Sequence, residues 1–265
     1  MIRSVVALGD AFEGYEIRSG RDSEGFVWSA GADWLATILG AGRTLHTWAS
    51  EQDDVVSFTG RGAVHAVLAP TGGPDRRERW VVRHYRRGGA VARYLDDRYL
   101  AGGDSRPIRE FKASVEARSR GVPTPAVVAG AVYTTGMFYR ADIVTEFIPD
   151  AETLADLLFG GSDGPIDVER MLHIAGKLVR RLEDTHVLHP DVSAGNILVH
   201  DHRGAAEAHV IDLDRCNVLT RATPALTRFM RDRLERSLRK LSALHAVEVS
   251  DVGWRALRDG FEAYP

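Results

Sequence analysis

The stretch that decides the fold runs from His189 to Asp214. It reads His189-Pro190-Asp191-Val192-Ser193-Ala194-Gly195-Asn196-Ile197-Leu198-Val199 and, after a turn at 201–204, Val210-Ile211-Asp212-Leu213-Asp214. Asp191 is followed by Asn196 just before one apolar, strand-like run, and a second apolar run ends at Asp212. An isolated Asp or Asn would be read as a turn residue, because its side chain can bond the local backbone. The ordered combination of two acids and an amide around two strands indicates a chemical site instead.

Phosphotransferases with a protein-kinase-like fold use this order of residues. Asp191 would accept the proton of the acceptor hydroxyl and is the predicted catalytic residue. Asn196 and Asp212 would give oxygen ligands to Mg²⁺, which prefers them. We therefore predict an α+β, protein-kinase-like two-lobed fold that uses ATP and Mg²⁺. Residues 1–147 would form an N-terminal segment and a nucleotide-binding lobe with an antiparallel sheet, and residues 148–265 a mainly helical lobe with the catalytic loop.

The hydrophobic pattern places the secondary structure around this stretch. Strands are predicted at 55–58, 63–68, 80–85, 126–132 and 139–147, and helices at 107–120, 152–158, 168–186, about 223–244 and 254–261. Glu146 falls in the expected hinge, where backbone groups would meet adenine. The first ~45 residues carry no clear motif beyond short strands and a turn or helix near residues 32–39, and Trp28 and Trp34 are interpreted as packing residues.

A glycine turn and an ion pair are the predicted nucleotide contacts of the first lobe. Gly60 and Gly62 lie between the first two predicted strands and would form a lid over the phosphates, although a glycine pair alone is a weak signal. Arg83 takes the place of the strand lysine that contacts the α- and β-phosphates in kinases. Glu110, on the helix at 107–120, is its expected partner. A surface ion pair is the alternative interpretation of Glu110.

The overall composition is that of an ordinary folded protein. The chain has 265 residues, 44% of them hydrophobic and 27% charged, with a net charge of −3, which argues against disorder and against a nucleic-acid partner. The single cysteine, Cys216, excludes an internal disulfide framework and a cysteine-based zinc site. The chain shows neither an apolar run of ~18–20 residues nor a signal-peptide pattern, so we expect a cytoplasmic protein.

Arginines are concentrated in two segments, 76–87 and 221–240. Arginine forms forked contacts with phosphate and carboxylate groups, so the first segment favours an anionic substrate or membrane surface. The alternative is a solvated face with pairing inside a helix, which applies especially to the second segment.

Several runs of residues are shared with one known family. They are Gly60-Arg61-Gly62, Val82-Arg83-His84-Tyr85-Arg86-Arg87-Gly88-Gly89, Asp97-Arg98-Tyr99-Leu100, Arg109-Glu110-Phe111, Gly121-Val122-Pro123-Thr124-Pro125, His189-Pro190-Asp191, Asn196-Ile197-Leu198, Ile211-Asp212-Leu213-Asp214-Arg215-Cys216 and Arg236-Ser237-Leu238-Arg239-Lys240-Leu241. From about residue 55 onward the sequence resembles the lipopolysaccharide kinases, and most closely the 3-deoxy-D-manno-octulosonic acid (Kdo) kinases. The Arg-His-Tyr-Arg-Arg-Gly-Gly and Arg-Ser-Leu-Arg-Lys runs are the most particular to them.

The resemblance implies a reaction and a partner. It implies ATP-dependent phosphorylation of the 4-OH of a Kdo residue on a lipid A precursor, with Asp191 as the active-site residue. It also implies a Gram-negative source and work at the cytoplasmic face of the inner membrane. Kdo carries a carboxylate and lipid A carries phosphates, so Arg86 and Arg87 are predicted to face the acceptor while Arg83 faces ATP.

The sequence departs from the family pattern at two places. The family loop Asp-Leu-Asn-Ala-His-Asn is here Asp-Val-Ser-Ala-Gly-Asn, residues 191–196. The first Asp and the last Asn are kept, so the chemistry is expected to be kept, whereas the loss of the inner Asn and the His affects the expected contacts with the acceptor. The metal motif ends in Asp214, either a second metal-site carboxylate or a structural acid. No Ala-Pro-Glu run follows, which argues against an activation-loop protein kinase. The alternatives are another sugar or small-molecule kinase of this fold, for heptose or of the aminoglycoside-phosphotransferase type, and an inactive pseudokinase.

Overall fold

The computed structural model describes residues 12–58, 63–86, 97–161, 167–202, 205–221 and 224–263. Two compact units divide the chain: Met1–Lys112 with Ala126–Phe147, and Ala113–Pro125 with Ile148–Pro265. The predicted first lobe, residues 1–147, includes residues 113–125. The contacts group this segment with the second unit, where the N–H of Val210 donates to the carbonyl of Pro123 at 2.9 Å.

The first unit is built on an antiparallel sheet. Its strands are β1 (Tyr15–Ser19), β2 (Ser23–Trp28), β3 (Val56–Phe58), β4 (Val64–Leu68), β5 (Arg79–His84), β6 (Tyr99–Leu100), β7 (Val127–Thr135) and β8 (Phe138–Glu146). They run in the order β1-β2-β7-β8-β5-β4-β3, and β6 pairs with β8. Strand β5 therefore lies next to β8, with Trp80 opposite Glu146 and Arg83 opposite Ile143.

The N-terminal segment belongs to this sheet unit. Beyond the edge strand β1 and its neighbour β2 it forms two short helices, α1 (Ala32–Gly40) and α2 (Leu45–Ser50). Leu35 and Leu45 are fully buried in the same core as Trp80. The ring of Trp34 contacts those of Trp48 and Trp80 at centroid distances of 5.0 and 5.1 Å, so its role in packing is confirmed.

Helix α3 (Arg106–Ser119) is fixed to the first unit by aromatic packing. Phe111 is fully buried, and its ring centroid lies 4.1 Å from that of Phe12 and 4.9 Å from that of Phe26. Aromatic pairs at such distances add to the stability gained from burial alone. This packing sets the position of the neighbouring residue, Glu110.

The second unit combines helices with short strands. Its elements are β9 (Glu152–Thr153), α4 (Leu154–Phe159), α5 (Val168–Asp184), β10 (Val187–Leu188), β11 (Ile197–His202), β12 (Ala205–Val210), β13 (Asn217–Val218), α6 (Pro224–His245) and α7 (Asp251–Glu262). Strand β11 pairs with β12 and β9, and β10 pairs with β13. None of the helices in the described ranges has the length and apolar character needed to cross a bilayer.

Helices α5 and α7 pack very closely because two glycines face each other. A Cβ atom built on Gly176 would lie 2.3 Å from the carbonyl oxygen of Leu257 and 2.9 Å from the Cα of Gly260. Real Cβ atoms do not approach backbone atoms this closely, so only glycine allows the crossing. Leu172 and Leu182, both on α5, are fully buried.

The predicted elements match the observed ones to within a few residues, with one change of type. The predicted helix at 152–158 starts later, because Glu152 and Thr153 form β9. Thr153 then caps helix α4, since its hydroxyl accepts a hydrogen bond from the N–H of Asp156 at 3.0 Å.

Candidate active site

His189 connects the two segments of the second unit that carry the predicted site. Its side chain is fully buried, and burial lowers the pKa of the imidazole. The neutral ring that results fits both of its contacts: Nδ1 accepts from the N–H of Asp191 at 3.2 Å, and Nε2 lies 3.1 Å from the carbonyl of Ile211. The carbonyl contact requires the proton on Nε2. His189 therefore holds the backbone at Asp191 next to the segment that leads into Asp212.

Asp191 lies among positive charges. Nη1 of Arg215 donates to Oδ2 of its carboxylate at 2.8 Å, and Nη2 of Arg233 donates to Oδ1 at 2.9 Å. The side chain of Asp191 is 31% exposed, so the carboxylate is still accessible. Two guanidinium groups around one carboxylate fix its orientation, and among these three side chains positive charge exceeds negative charge.

Asn196 and Asp212 have conformations that suit a cation site. The Nδ2 of Asn196 donates to the backbone carbonyl of Asp191 at 3.0 Å, so its side-chain oxygen is the atom left to face a cation. Asp212 has a left-handed backbone, with φ of 66°, which Asp tolerates better than most residues. The N–H of Ile211 donates to the carbonyl of Asn196 at 3.0 Å, which keeps the two segments adjacent.

Asp214 differs from Asp212 in accessibility. Its side chain is buried, with 4% exposure, whereas Asp212 is half-buried. Asp212 is therefore the better placed of the two carboxylates to meet a cation from solvent. The donor set of an amide oxygen and a carboxylate is the kind that a hard cation such as Mg²⁺ selects.

Helix α6 supports the loop at 189–196 from one side. Met230, Leu234 and Leu238 are buried along one stripe of the helix and anchor it in the core. On the adjoining stripe, Arg233 contacts Asp191, and one turn later the hydroxyl of Ser237 accepts the N–H of Ala194 at 3.2 Å. The arginine-rich helix thus holds two points of the loop.

The first unit brings Arg83 and Glu110 together. Nη2 of Arg83 donates to Oε1 and Oε2 of Glu110 at 2.8 and 2.7 Å, and the hydroxyl of Tyr85 also donates to Oε2. Glu110 is 4% exposed, and Arg83 lies 4.8 Å from the centroid of the Tyr85 ring. A half-buried guanidinium held in one orientation suits contact with an anion. The predicted roles of both residues toward nucleotide stay predictions.

Glu146 is committed to a loop of the first unit. Its carboxylate accepts from the N–H of Asp75 at 3.0 Å and from that of Arg77 at 3.4 Å. A Cβ on Gly73 would lie 2.2 Å from Oε1, so the loop needs a glycine there to pack on the carboxylate. The expected contact between residue 146 and adenine therefore rests on its backbone and stays a prediction.

The other predicted contacts are placed only in part. Arg86 is exposed just beyond the end of β5. Gly60, Gly62 and Arg87 lie outside the described residues.

The sequence interpretation did not single out Arg215, Arg233 or Ser237 as parts of the site. Arg233 is one of many arginines in the segment 221–240, for which a solvated helix face is the alternative interpretation, and its contact with Asp191 spans 42 residues of sequence. One signal was available: Arg233 and Ser237 are four residues apart, and they flank the apolar stripe that must face the core.

Known proteins resemble this chain over most of its length. It matches the lipopolysaccharide kinase (Kdo/WaaP) family over residues 46–261. A 3-deoxy-D-manno-octulosonic acid kinase of Vibrio cholerae is 33% identical over 174 residues, covering 64% of this chain and 68% of that protein. The enzymes of the same name from Photobacterium profundum and Xylella fastidiosa are 30% and 31% identical, covering 81% and 83% of this chain and 86% and 84% of theirs.

A solved structure supports the fold. WaaP in complex with acyl carrier protein superposes with a TM-score of 0.50 and 16% sequence identity, covering 84% of each chain. At this identity the likeness concerns the fold alone. With the antiparallel sheet of the first unit and the helices of the second, it confirms the predicted α+β, protein-kinase-like fold.

Proposed function

This chain belongs to the lipopolysaccharide kinase (Kdo/WaaP) family, and we propose that it phosphorylates the 4-OH of a Kdo residue on a lipid A precursor. The proposed phosphate donor is ATP. The family consists of phosphotransferases that act on alcohol groups in lipopolysaccharide biosynthesis. The observation that carries the proposal is the linked set in the second unit: Asp191 oriented by two arginines, Asn196 bonded to its backbone, and Asp212 on the adjoining segment.

Asp191 is the proposed general base. Its oriented carboxylate receives the proton of the acceptor hydroxyl as that oxygen attacks the γ-phosphate. Phosphoryl transfer has a loose transition state, so most of the rate gain comes from positioning and from neutralising charge. The hydrogen bonds from Arg215 and Arg233 supply both, because they fix the carboxylate and add positive charge beside the reacting oxygens.

Asn196 and Asp212 are the proposed holders of Mg²⁺. Their oxygen atoms suit a hard cation, and the bond from the Asn196 amide to Asp191 sets which atom is offered. When bound, the cation neutralises the phosphate oxygens of ATP. In the first unit, Arg83, held by Glu110, is proposed to contact the α- and β-phosphates.

An anionic acceptor fits the charges around Asp191. Two guanidinium groups face a single carboxylate, and each has N–H groups beyond the one that it donates to Asp191. A Kdo carboxylate or a lipid A phosphate would balance this excess. Arg86, exposed beyond β5, is proposed to contact the acceptor as well.

A place at the cytoplasmic face of the inner membrane follows from a lipid-linked acceptor. Helix α6 carries exposed basic residues and the exposed apolar side chains Phe229 and Leu244. Basic and apolar side chains together bind an anionic bilayer surface peripherally. We propose such contact for this chain in a Gram-negative bacterium.

The test is a transfer assay on the purified protein with Mg·ATP and a Kdo-bearing lipid A precursor, beside free Kdo and heptose-bearing acceptors, with mass spectrometry of the products. A phosphate on the Kdo 4-OH is the expected result. Phosphorylation of only another acceptor would keep the kinase and discard Kdo as its substrate. Binding of Mg·ATP without transfer to any acceptor would indicate a pseudokinase.

A further inference from the structure

Three potential metal ligands lie together on the β11–β12 hairpin. His200 on β11 is directly opposite Glu207 on β12, and His209 is opposite Leu198. Successive residues of a strand point to opposite faces. Ile197, Val199, Ala208 and Val210 are buried in the core, so His200, Glu207 and His209 share the outward face.

The distances between the ligating atoms are close to those that a metal ion requires. Nε2 of His200 lies 3.5 Å and Nε2 of His209 lies 3.9 Å from Oε2 of Glu207. One ligand atom from each of the three side chains lies within 4.8 Å of the other two. In a tetrahedral zinc site with bonds of about 2.0–2.1 Å, neighbouring ligand atoms are about 3.3 Å apart. Small side-chain rotations would therefore place three of the four ligands of such a site.

Ordinary ion pairing explains this arrangement less well. Both imidazoles approach the same carboxylate oxygen of Glu207. The two N···O distances are nevertheless longer than the 2.7–3.2 Å of a usual N–H···O hydrogen bond. The two histidine side chains are largely covered, at 20% and 16% exposure, while Glu207 is 55% exposed. An ion could reach the two nitrogen atoms from the solvent side of Glu207.

We propose that His200, Glu207 and His209 bind one divalent transition-metal ion, with Zn²⁺ as the best fit. Two neutral imidazoles and one carboxylate are a ligand set that zinc accepts, with a water in the fourth position. Magnesium prefers oxygen ligands, so this site and the proposed site at Asn196 and Asp212 select different ions.

The position of the hairpin gives the ion a structural role. Strand β11 begins directly after Asn196, and β12 ends two residues before Asp212. An ion bound across the two strands adds a link between them and stabilises the folded hairpin, because its ligands are not held together in the unfolded chain. It would thereby support the two segments of the catalytic region without touching the reactants.

The binding test uses the full-length protein after treatment with a chelator and titrates Zn²⁺ by calorimetry. One ion per chain is expected, together with a rise in Tm. His200→Gln and His209→Gln are each expected to weaken binding by more than the ~10–100-fold that loss of an outer-shell partner costs. His245→Gln, an exposed histidine of the same unit, is the matched control and should bind as the wild type does.

Three further variants separate this site from others. Glu207→Gln, at an exposed position, removes a ligand with little risk to folding and should also abolish the rise in Tm with Zn²⁺. Asp212→Asn and Cys216→Ser should leave Zn²⁺ binding unchanged. Absence of Zn²⁺ binding by the wild type, or unchanged binding in His200→Gln, His209→Gln and Glu207→Gln, would overturn the proposal.

Discussion

Arg233, on helix α6, donates a hydrogen bond of 2.9 Å to the carboxylate of Asp191, which lies 42 residues earlier in the chain. One turn further along the same helix, Ser237 accepts the N–H of Ala194, so α6 holds the loop at two points. The helix is itself anchored by buried leucines. The orientation of the proposed base is therefore set by the packing of the C-terminal helices as well as by its own loop.

Replacement of Asp191 tests the central assignment. Asp191→Asn keeps the size of the side chain and removes its capacity to accept the hydroxyl proton. We expect transfer to fall by about 10²–10⁴-fold, the usual contribution of a general base, with Tm changed little because the site is partly exposed. Steady-state kinetics and thermal unfolding on the same preparation check this. Substantial turnover by the variant would rule out Asp191 as the base.

Replacement of Arg233 tests positioning. Arg233→Gln removes a charged hydrogen bond to the base, and we expect kcat to fall by about 10-fold, which corresponds to ~1.4 kcal/mol. The KM for ATP should stay the same, because Arg233 is proposed to contact the base and the acceptor and not ATP. Arg255→Gln, an exposed arginine on α7, is the charge-matched control and should keep full activity. A fall in kcat of similar size in both variants would show that net charge matters and not the contact with Asp191.

Replacement of Arg83 tests the nucleotide contact. Arg83→Met removes the cation and should raise the KM for ATP by about 10-fold, or ~1.4 kcal/mol. Arg83→Lys keeps the charge but loses the forked contact with Glu110, so a smaller rise is expected. The control is Arg18→Met, because Arg18 lies on β1, where its guanidinium pairs with Glu16 and donates to the carbonyl of Ile17. If Arg83→Met lowered Tm without changing the KM for ATP, the Arg83–Glu110 pair would be structural.

Local sequence carried enough information to predict much of the fold. The apolar spacing of residues 168–186 predicts a helix, and α5 is observed at Val168–Asp184. The order of elements also predicted that Arg83 would meet Glu110, because a strand and a following helix are held in a fixed relation in this fold. Periodicity and order suffice where neighbouring residues determine the conformation.

Contacts distant in sequence could not be predicted in the same way. The arginines of α6 look alike in the sequence, and only the packing of Leu234 and Leu238 shows that Arg233 faces the loop. Strand β1 alternates apolar and charged residues over only four positions, Tyr15 to Arg18, and β2 does not alternate, because Phe26, Val27 and Trp28 are consecutive. They become strands through pairing with each other and with β7, which is tertiary context that a local pattern does not contain.

The close crossing of α5 and α7 predicts a strong effect of a single methyl group. Gly176→Ala and Gly260→Ala would each place a Cβ within 2.3 Å of a backbone oxygen of the other helix. Separating the helices to make room should lower the free energy of unfolding by about 1–3 kcal/mol, as overpacking does. Gly40→Ala, at the end of α1, meets nothing within 4 Å and should stay within about 1 kcal/mol of the wild type. Urea unfolding measures all three, and equal stabilities would contradict the close packing.

The histidines of the first unit predict opposite dependences of stability on pH. Burial lowers the pKa of His84, but the hydrogen bonds and charges of Asp142 and Asp97 outweigh burial and raise it above 6.5. Burial, with a contribution from His46, lowers the pKa of His65 below 6.5. A histidine whose pKa is raised by folding stabilises the folded state fully below pH 6.5, and this stabilisation is lost as the pH rises through the pKa of the folded state. For a histidine whose pKa is lowered by folding, the stabilisation is present above pH 6.5 and is lost as the pH falls through the pKa of the folded state.

Urea unfolding of the wild type, His84→Gln and His65→Gln between about pH 5 and 8.5 tests this pair, a range that spans the ordinary histidine pKa. The difference in unfolding free energy between the wild type and His84→Gln should be largest at or below pH 6.5 and shrink as the pH rises, because the bonds to Asp142 and Asp97 strengthen when the ring is charged. The difference for His65→Gln should shrink as the pH falls. Parallel curves for the two variants would show that neither histidine changes its protonation on folding as described.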